Sequence, residues 1–361
     1  MKMFLHLEAR GEPSRLWIWA APLMAVFLTL AVGSALFAAL GKDPLQALNG
    51  FFIMPVSTLY GATELLVKAA PLALIAVGLA VGFRGGVWNI GAEGQLTLGA
   101  ITGGGLALAL GAVDSPLVLP AVLLAGVLGG MAWAAIPALL RTRFHANEIL
   151  TSLMLTYVAQ LLLGWLVHGP WRDPHGFNFP ETAPFSPHAI LPVLLEGTRL
   201  HLGIPLAGVV ILAVWALLAR GFIGFQIKVM GLAPRAGAYA GFRQNRLVWF
   251  SLLLSGGLAG LAGFSEAAGP IGQLQPALSP GYGFTAIIVA FLGRLHPVGI
   301  VLAALFMALT YLGGETVQLF MGLPLAVTGV FQGLILFFLL ACDVLILYRV
   351  RVGRRPAPGV S

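Results

Sequence analysis

Arg84-Gly-Gly-Val-Trp-Asn-Ile-Gly-Ala-Glu-Gly-Gln95 lies between two long apolar runs and sets Asn89, Glu93 and Gln95 among Gly82, Gly85, Gly86, Gly91 and Gly94. Hydrocarbon supplies no water, so each of these polar groups needs a protein partner or a wet cavity. Glycines at such density let helices approach closely or let a helix break. Its place between two apolar runs points to a membrane setting, and the rest of the chain supports that reading.

Of the 361 residues, 59% are hydrophobic and 9% charged, against about 25% charged in soluble domains. The formal net charge is +7 and the pI about 10. In a soluble chain that balance would suggest nucleic acid. Here the basic residues fall between apolar runs, which is the positive-inside pattern, and the expected surroundings are membrane lipid with no nucleic-acid partner. The single cysteine, Cys342, excludes an internal disulfide. The first apolar run is too long for a signal-peptide core and reads as a retained span.

Apolar runs near the length of about 20 residues needed to cross a bilayer occur at 16–40, 65–83, 90–110, 117–140, 149–168, 202–219, 247–268 and 325–347. Two shorter runs, 282–293 and 298–312, are bounded by Gly and Pro and fit broken or re-entrant helices. The expected fold is an all-α polytopic integral membrane protein: one transmembrane domain over 1–361 with about ten helices, some broken or short. With the N-terminus inside, alternation puts Lys42, Lys68, Arg172 and Arg199 outside and the other 16 of 20 basic residues inside, including Arg84, Arg141, Arg143, Arg294 and Arg349. Both termini are therefore expected to be cytoplasmic.

In this setting Asn89, Glu93 and Gln95 admit two readings, a transport path or its gate, or a packing seam beside a cytoplasmic turn. An acid within a span favours the first. The later half repeats the pattern. Glu266 closes one span, Gln273 follows, and Gly281-Tyr-Gly283 opens a short run where a half-helix N-terminus would present free N–H groups to a ligand. Tyr282 there either stacks on a planar ligand or belongs to the aromatic belt. The segment 169–201 is a long external loop, either a docking surface or a passive fold. The segment 220–246 is the longest internal connection, with five basic residues and no acid. Its small-residue middle, Gly231 to Gly241, reads as a short docking helix beginning near Pro234.

Some chemistries are missing from the sequence. It has no GxxxxGK[ST] phosphate loop, no HExxH and no GxSxG nucleophile turn. No catalytic residue or metal site is expected. A secondary transporter using Glu93 and Glu266 for ion coupling is the alternative to an ATP-driven one.

Four ordered segments carry a family resemblance: 83–95, Asn147-Glu-Ile-Leu-Thr-Ser-Leu-Met-Leu-Thr-Tyr157, Val229 to Phe242, and Ser279 to Arg294. Together they resemble the permeases of nucleoside and simple-sugar ABC importers, in the ribose and branched-chain amino-acid permease superfamily. The resemblance implies a type II importer-like fold in a bacterial or archaeal cytoplasmic membrane. It implies partners: an ATPase subunit carrying ATP and Mg, a second permease forming a heterodimer, and an external solute-binding protein or lipoprotein. No cofactor belongs to the permease chain itself. Gly231, Pro234, Ala236, Ala238, Tyr239, Ala240 and Gly241 fall in the segment that couples to the ATPase. The Gly91-Ala-Glu-Gly-Gln95 wording leans toward nucleosides over pentoses. Trp88 and Gly237 depart from the family pattern, and Gly237 would weaken a helix by up to about 1 kcal/mol relative to Ala.

Overall fold

The computed structural model describes residues 3–9, 15–324 and 326–354. Lys2, Arg10 and Arg355 of the charge count, and Leu325 at the start of the last apolar run, lie outside these residues. Thirteen α-helices occur among them: α1 (Arg15–Ala39), α2 (Pro44–Phe52), α3 (Leu59–Arg84), α4 (Ala92–Ala109), α5 (Val118–Phe144), α6 (Glu148–His168), α7 (Gly203–Arg220), α8 (Phe222–Leu232), α9 (Pro234–Tyr239), α10 (Gln244–Glu266), α11 (Tyr282–Leu292), α12 (Pro297–Met321) and α13 (Ala326–Leu347). Two short strands, β1 (Met3–Ala9) and β2 (Tyr348–Arg354), pair antiparallel. The chain is an all-α polytopic membrane protein. The sequence reading does not anticipate the strands and α2, because it rests on apolar runs of span length and these elements have only seven to nine residues.

Among the described residues, eight helices are long and apolar enough to cross a membrane: α1, α3, α5, α6, α7, α10, α12 and α13. The two remaining runs of the sequence reading differ in kind. α4 has 18 residues, about 27 Å at 1.5 Å per residue, but Glu93, Gln95 and its glycines lower its hydropathy. It is buried along most of its length, so protein replaces lipid around it. α11 has only 11 residues, about 16 Å, half of a hydrocarbon core of about 30 Å. The expectation of a short run at 298–312 is corrected: α12 is 25 residues long. Gly313 and Gly314 read as a stop but do not break the helix. A Cβ at Gly313 would strike the carbonyl of Phe51, and one at Gly314 would strike Thr328, so these glycines permit contact.

The chain divides into two compact units, 1–54 with 313–361, and 55–312. In the first, Phe37, Phe51 and Phe331 are fully buried, with ring centroids 4.7 to 6.3 Å apart. Asp43 caps α2 by accepting the Leu45 N–H at 2.8 Å.

The second unit is built around α4, α5 and α10. Their contact is a seam of small residues. A Cβ on Gly99 would overlap the backbone of Gly260, and one on Gly260 would meet the Gly126 carbonyl and lie 3.0 Å from Gly130. Backbones therefore touch backbones, and Thr102 on α4 donates to the Ala125 carbonyl on α5 at 2.9 Å. Without a hydrophobic drive between helices in lipid, such close approach is the main source of attraction.

Beyond α10 the chain makes one wide π-type turn, Ala267–Ile271, then runs without helix to α11. The loop 169–201 lies along this segment. Leu191 N–H donates to Ala268 O at 2.9 Å and Phe185 N–H to Gly272 O at 2.9 Å. Thr182 N–H donates to Leu274 O, and Leu274 N–H to the Thr182 hydroxyl, both at 3.0 Å. This loop is thus a folded part of the unit that leaves Phe177 and Phe179 exposed.

Candidate functional site

The opening stretch forms the turn between α3 and α4. Gly86 adopts φ +70, a left-handed conformation that glycine accepts without strain. Val87 N–H closes the turn onto Gly82 O at 2.9 Å. The motif at 147–157 braces it. Arg141 and Glu148 form an ion pair at 2.5 Å, and Ile90 N–H donates to Ser152 Oγ at 3.2 Å. Trp88 is accommodated by stacking: its ring lies 5.0 Å from Phe83 and 6.1 Å from Phe291.

Asn89, Glu93 and Gln95 are all at most 2% exposed. Asn89 and Gln95 face each other as a reciprocal amide pair. Asn89 Nδ2 donates to Gln95 Oε1 at 2.7 Å, and Gln95 Nε2 donates to Asn89 Oδ1 at 3.1 Å. Asn89 also donates to Ser255 Oγ on α10 at 3.0 Å and accepts Gly91 N–H at 3.0 Å. Buried polar groups in a low dielectric need this degree of satisfaction. Glu93 Oε2 accepts the N–H of Gly283, in the first turn of α11, at 2.6 Å. Three of the expected residues thus serve one junction of α4, α10 and α11.

Tyr282 begins α11 and is 1% exposed. Its ring meets Tyr311 edge-on at 5.5 Å, so in this conformation it stacks on protein. The free N–H groups expected at the start of α11 are not free. Tyr282 and Gly281 N–H donate to Ser279 Oγ at 3.0 and 3.2 Å, and Gly283 N–H goes to Glu93.

Glu266 and Gln273 lie elsewhere. Gln273 donates to Glu181 of the external loop at 2.7 Å. Glu266 lines a small cavity with Val67, Pro71, His201 and Ala262. Beside it, Arg199 pairs with the buried Glu64 of α3, Nε to Oε1 at 2.9 Å, with a second bond from Nη2. The Glu64 hydrogen bond holds the Arg199 pKa above its usual value. His201 is pushed down to about 4, chiefly by burial. Glu64 was missed because α3 begins at Leu59, six residues before the apolar run that announces it. Its partner is 135 residues away, so no local spacing could reveal the pair.

At the other end of the unit, α8 and α9 lie where a docking helix was expected. Gly231 packs on the Arg84 carbonyl and Met230 on Gly85, which seats the segment on the motif turn. Gln244 Nε2 donates to Pro234 O at 2.9 Å. Pro234, Ala236, Ala238, Ala240 and Gly241 are exposed, and Tyr239 is 98% exposed. Gly237 is buried, and a Cβ there would approach Val229 at 3.3 Å and Phe242 at 3.6 Å. A cavity of about 680 Å³ opens beside it, lined by Gly86, Arg141, His145, Asn147, Gln244 and Asn245 among others.

A multi-helix membrane body, a glycine seam, a half-helix capped from another helix, and an exposed small-residue helix joined to one seated on the motif turn define a multi-pass membrane transport subunit. Residues 61–340 match the family described as branched-chain amino acid transport system / permease component, and the chain belongs to that family. It is 36% identical to a glucose ABC transporter permease protein of Haloferax volcanii, over 98% of this chain and 95% of that one. It is 29% identical to a guanosine ABC transporter permease protein of Bacillus subtilis, over 88% and 91%. It is 28% identical to a nucleoside ABC transporter permease protein of Lactococcus lactis, over 88% and 89%. No solved structure matches. The chain is therefore the permease subunit of an ABC importer, a multi-pass protein of the plasma membrane. The family implies an ATPase and a solute-binding protein as partners.

Proposed function

We propose that this chain moves a nucleoside or a related simple sugar into the cytoplasm, driven by ATP and Mg bound in a partner ATPase. The chain itself hydrolyses nothing and carries no cofactor. It acts as a single transmembrane permease domain over 1–361 with about ten crossings and cytoplasmic termini, and it pairs with a second, different permease. Relatives named for guanosine, nucleosides and glucose support the solute class. Their names as ABC transporter permeases favour an ATP-driven importer over an ion-driven carrier. Asn89, Glu93, Gln95 and Tyr282 act in the gate beside α11, with Glu266 and Gln273 toward the outer end of the path.

The observation that carries the coupling role is α9. Its small residues and Tyr239 project, while Gly231 and Met230 rest on the turn that leads to Asn89. A push on α9 thus reaches the gate through the adjoining α8, whose Gly231 and Met230 make the contact with the turn. ATP-dependent uptake of labelled guanosine and glucose into proteoliposomes tests the reading, with ATPase, second permease and binding protein each omitted in turn. Uptake that needs every component supports it; uptake by this chain alone, abolished by an ionophore, overturns it. Ala236→Trp should cut uptake at least tenfold while ATP hydrolysis persists.

A further inference from the structure

The membrane-buried N-terminus of α11 is already filled. Its 11 residues end at the Gly293–His296 turn that leads into α12, so its first turn lies about 16 Å along the helix from that turn. A half-helix start there presents a positive dipole end and unpaired N–H groups, the usual seat for a solute carboxylate or phosphate. Here Ser279 Oγ takes the Gly281 and Tyr282 N–H groups. Glu93, 190 residues away in sequence, takes Gly283 N–H at 2.6 Å. Gly283 has no side chain because a Cβ there would overlap the Glu93 backbone, so the two helices meet at van der Waals distance around this carboxylate.

We propose that the Glu93 carboxyl group is a built-in occupant of this seat. It occupies the position a charged solute would take at α11, holds the half-helix against α4, and leaves an uncharged polar solute as the cargo. This rests on the importer reading, whose nucleoside or simple-sugar cargo carries neither carboxylate nor phosphate. Glu93 is then a positioning residue and touches no solute.

Two variants separate this role from the others. Glu93→Ala empties the seat, and Glu93→Gln fills it with a neutral acceptor. The first arm is thermal unfolding of the purified full-length permease in detergent, with sodium formate or sodium chloride at equal concentration. Formate should raise the Tm of Glu93→Ala by several degrees beyond chloride and leave the wild type and Glu93→Gln unmoved. The second arm is uptake by the reconstituted complex. Glu93→Gln should lower kcat several-fold with KM unchanged. Formate should restore uptake in Glu93→Ala and leave wild-type uptake uninhibited. The proposal is overturned if formate stabilises or inhibits the wild type, if Glu93→Ala ignores formate, or if Glu93→Gln raises KM. If Glu93→Ala does not accumulate, the Glu93→Gln kinetics and the wild-type formate response still decide. The thermal arm needs no solute, so its result stands even if nucleosides and glucose prove to be the wrong cargo.

Discussion

Replacing Asn89 with Leu removes four hydrogen bonds at a residue that is 1% exposed: to Gln95 twice, to Ser255 and from Gly91 N–H. Side-chain hydrogen bonds inside membrane proteins average about 0.6 kcal/mol, which sets a floor near 2 kcal/mol for the four. The Gln95 amide, buried with nothing to face, adds the cost of an orphaned polar group, about 1–3 kcal/mol. Asn89→Leu should therefore lose about 3–5 kcal/mol. The double variant Asn89→Leu with Gln95→Leu removes the orphan as well and should be less damaged than the single one. Equilibrium unfolding of the purified permease in a detergent–SDS series measures all three, with Gln95→Leu completing the cycle. Additive losses, with the double variant worst, would show that the two amides act independently and would refute the pair. Uptake should fall in every variant, because the pair fixes the start of α4, from which Glu93 holds α11.

Gly260→Val forces a side chain between backbones that cannot yield, and should cost at least the 1–3 kcal/mol typical of overpacking; Gly164→Ala on α6, where a Cβ meets open space, is the matched control and should be neutral or slightly stabilising in the same melts. His201 is 4% exposed and sits among Glu64, Arg199 and Glu266. Its pKa of about 4 lies below the unfolded value of 6.5, so the unfolded chain binds more protons between those limits. The His201 contribution to stability should fall as pH drops from 6.5 toward 4, by up to about 3 kcal/mol. His201→Asn, which keeps an acceptor for Gly203 N–H, should flatten that slope in thermal melts. Gly237→Ala gains helix propensity of up to about 1 kcal/mol against a tight contact with Val229, and should leave ATP-coupled uptake near wild type.

Most of the membrane body was legible because apolar runs of span length mark themselves. The departures share a cause. α12 was cut short at Gly313 because glycine signals both a break and a close contact, and sequence does not separate the two. α8 was missed because 222–232 was read as part of a basic connection. Asn89, Glu93 and Gln95 were visible as polar residues in an apolar setting. What they bond was not, since Ser255 and Gly283 lie 166 and 190 residues away. The same distance hid the capping of α11, and with it the difference between a half-helix open to a ligand and one already closed.

The reciprocal Asn89–Gln95 pair also bears on how the chain is made. Ser255, the third member, is synthesised 166 residues after Asn89. At 5–20 residues per second that is a delay of roughly 10–30 s. During this interval α4, too polar to be at ease in lipid, has no α10 to lean on. Two amides six residues apart can satisfy each other within a single turn and the start of one helix. The pair thus acts as a travelling escort, letting a polar segment wait in the bilayer until its late partner arrives and gives one of its hydroxyls to the same cluster.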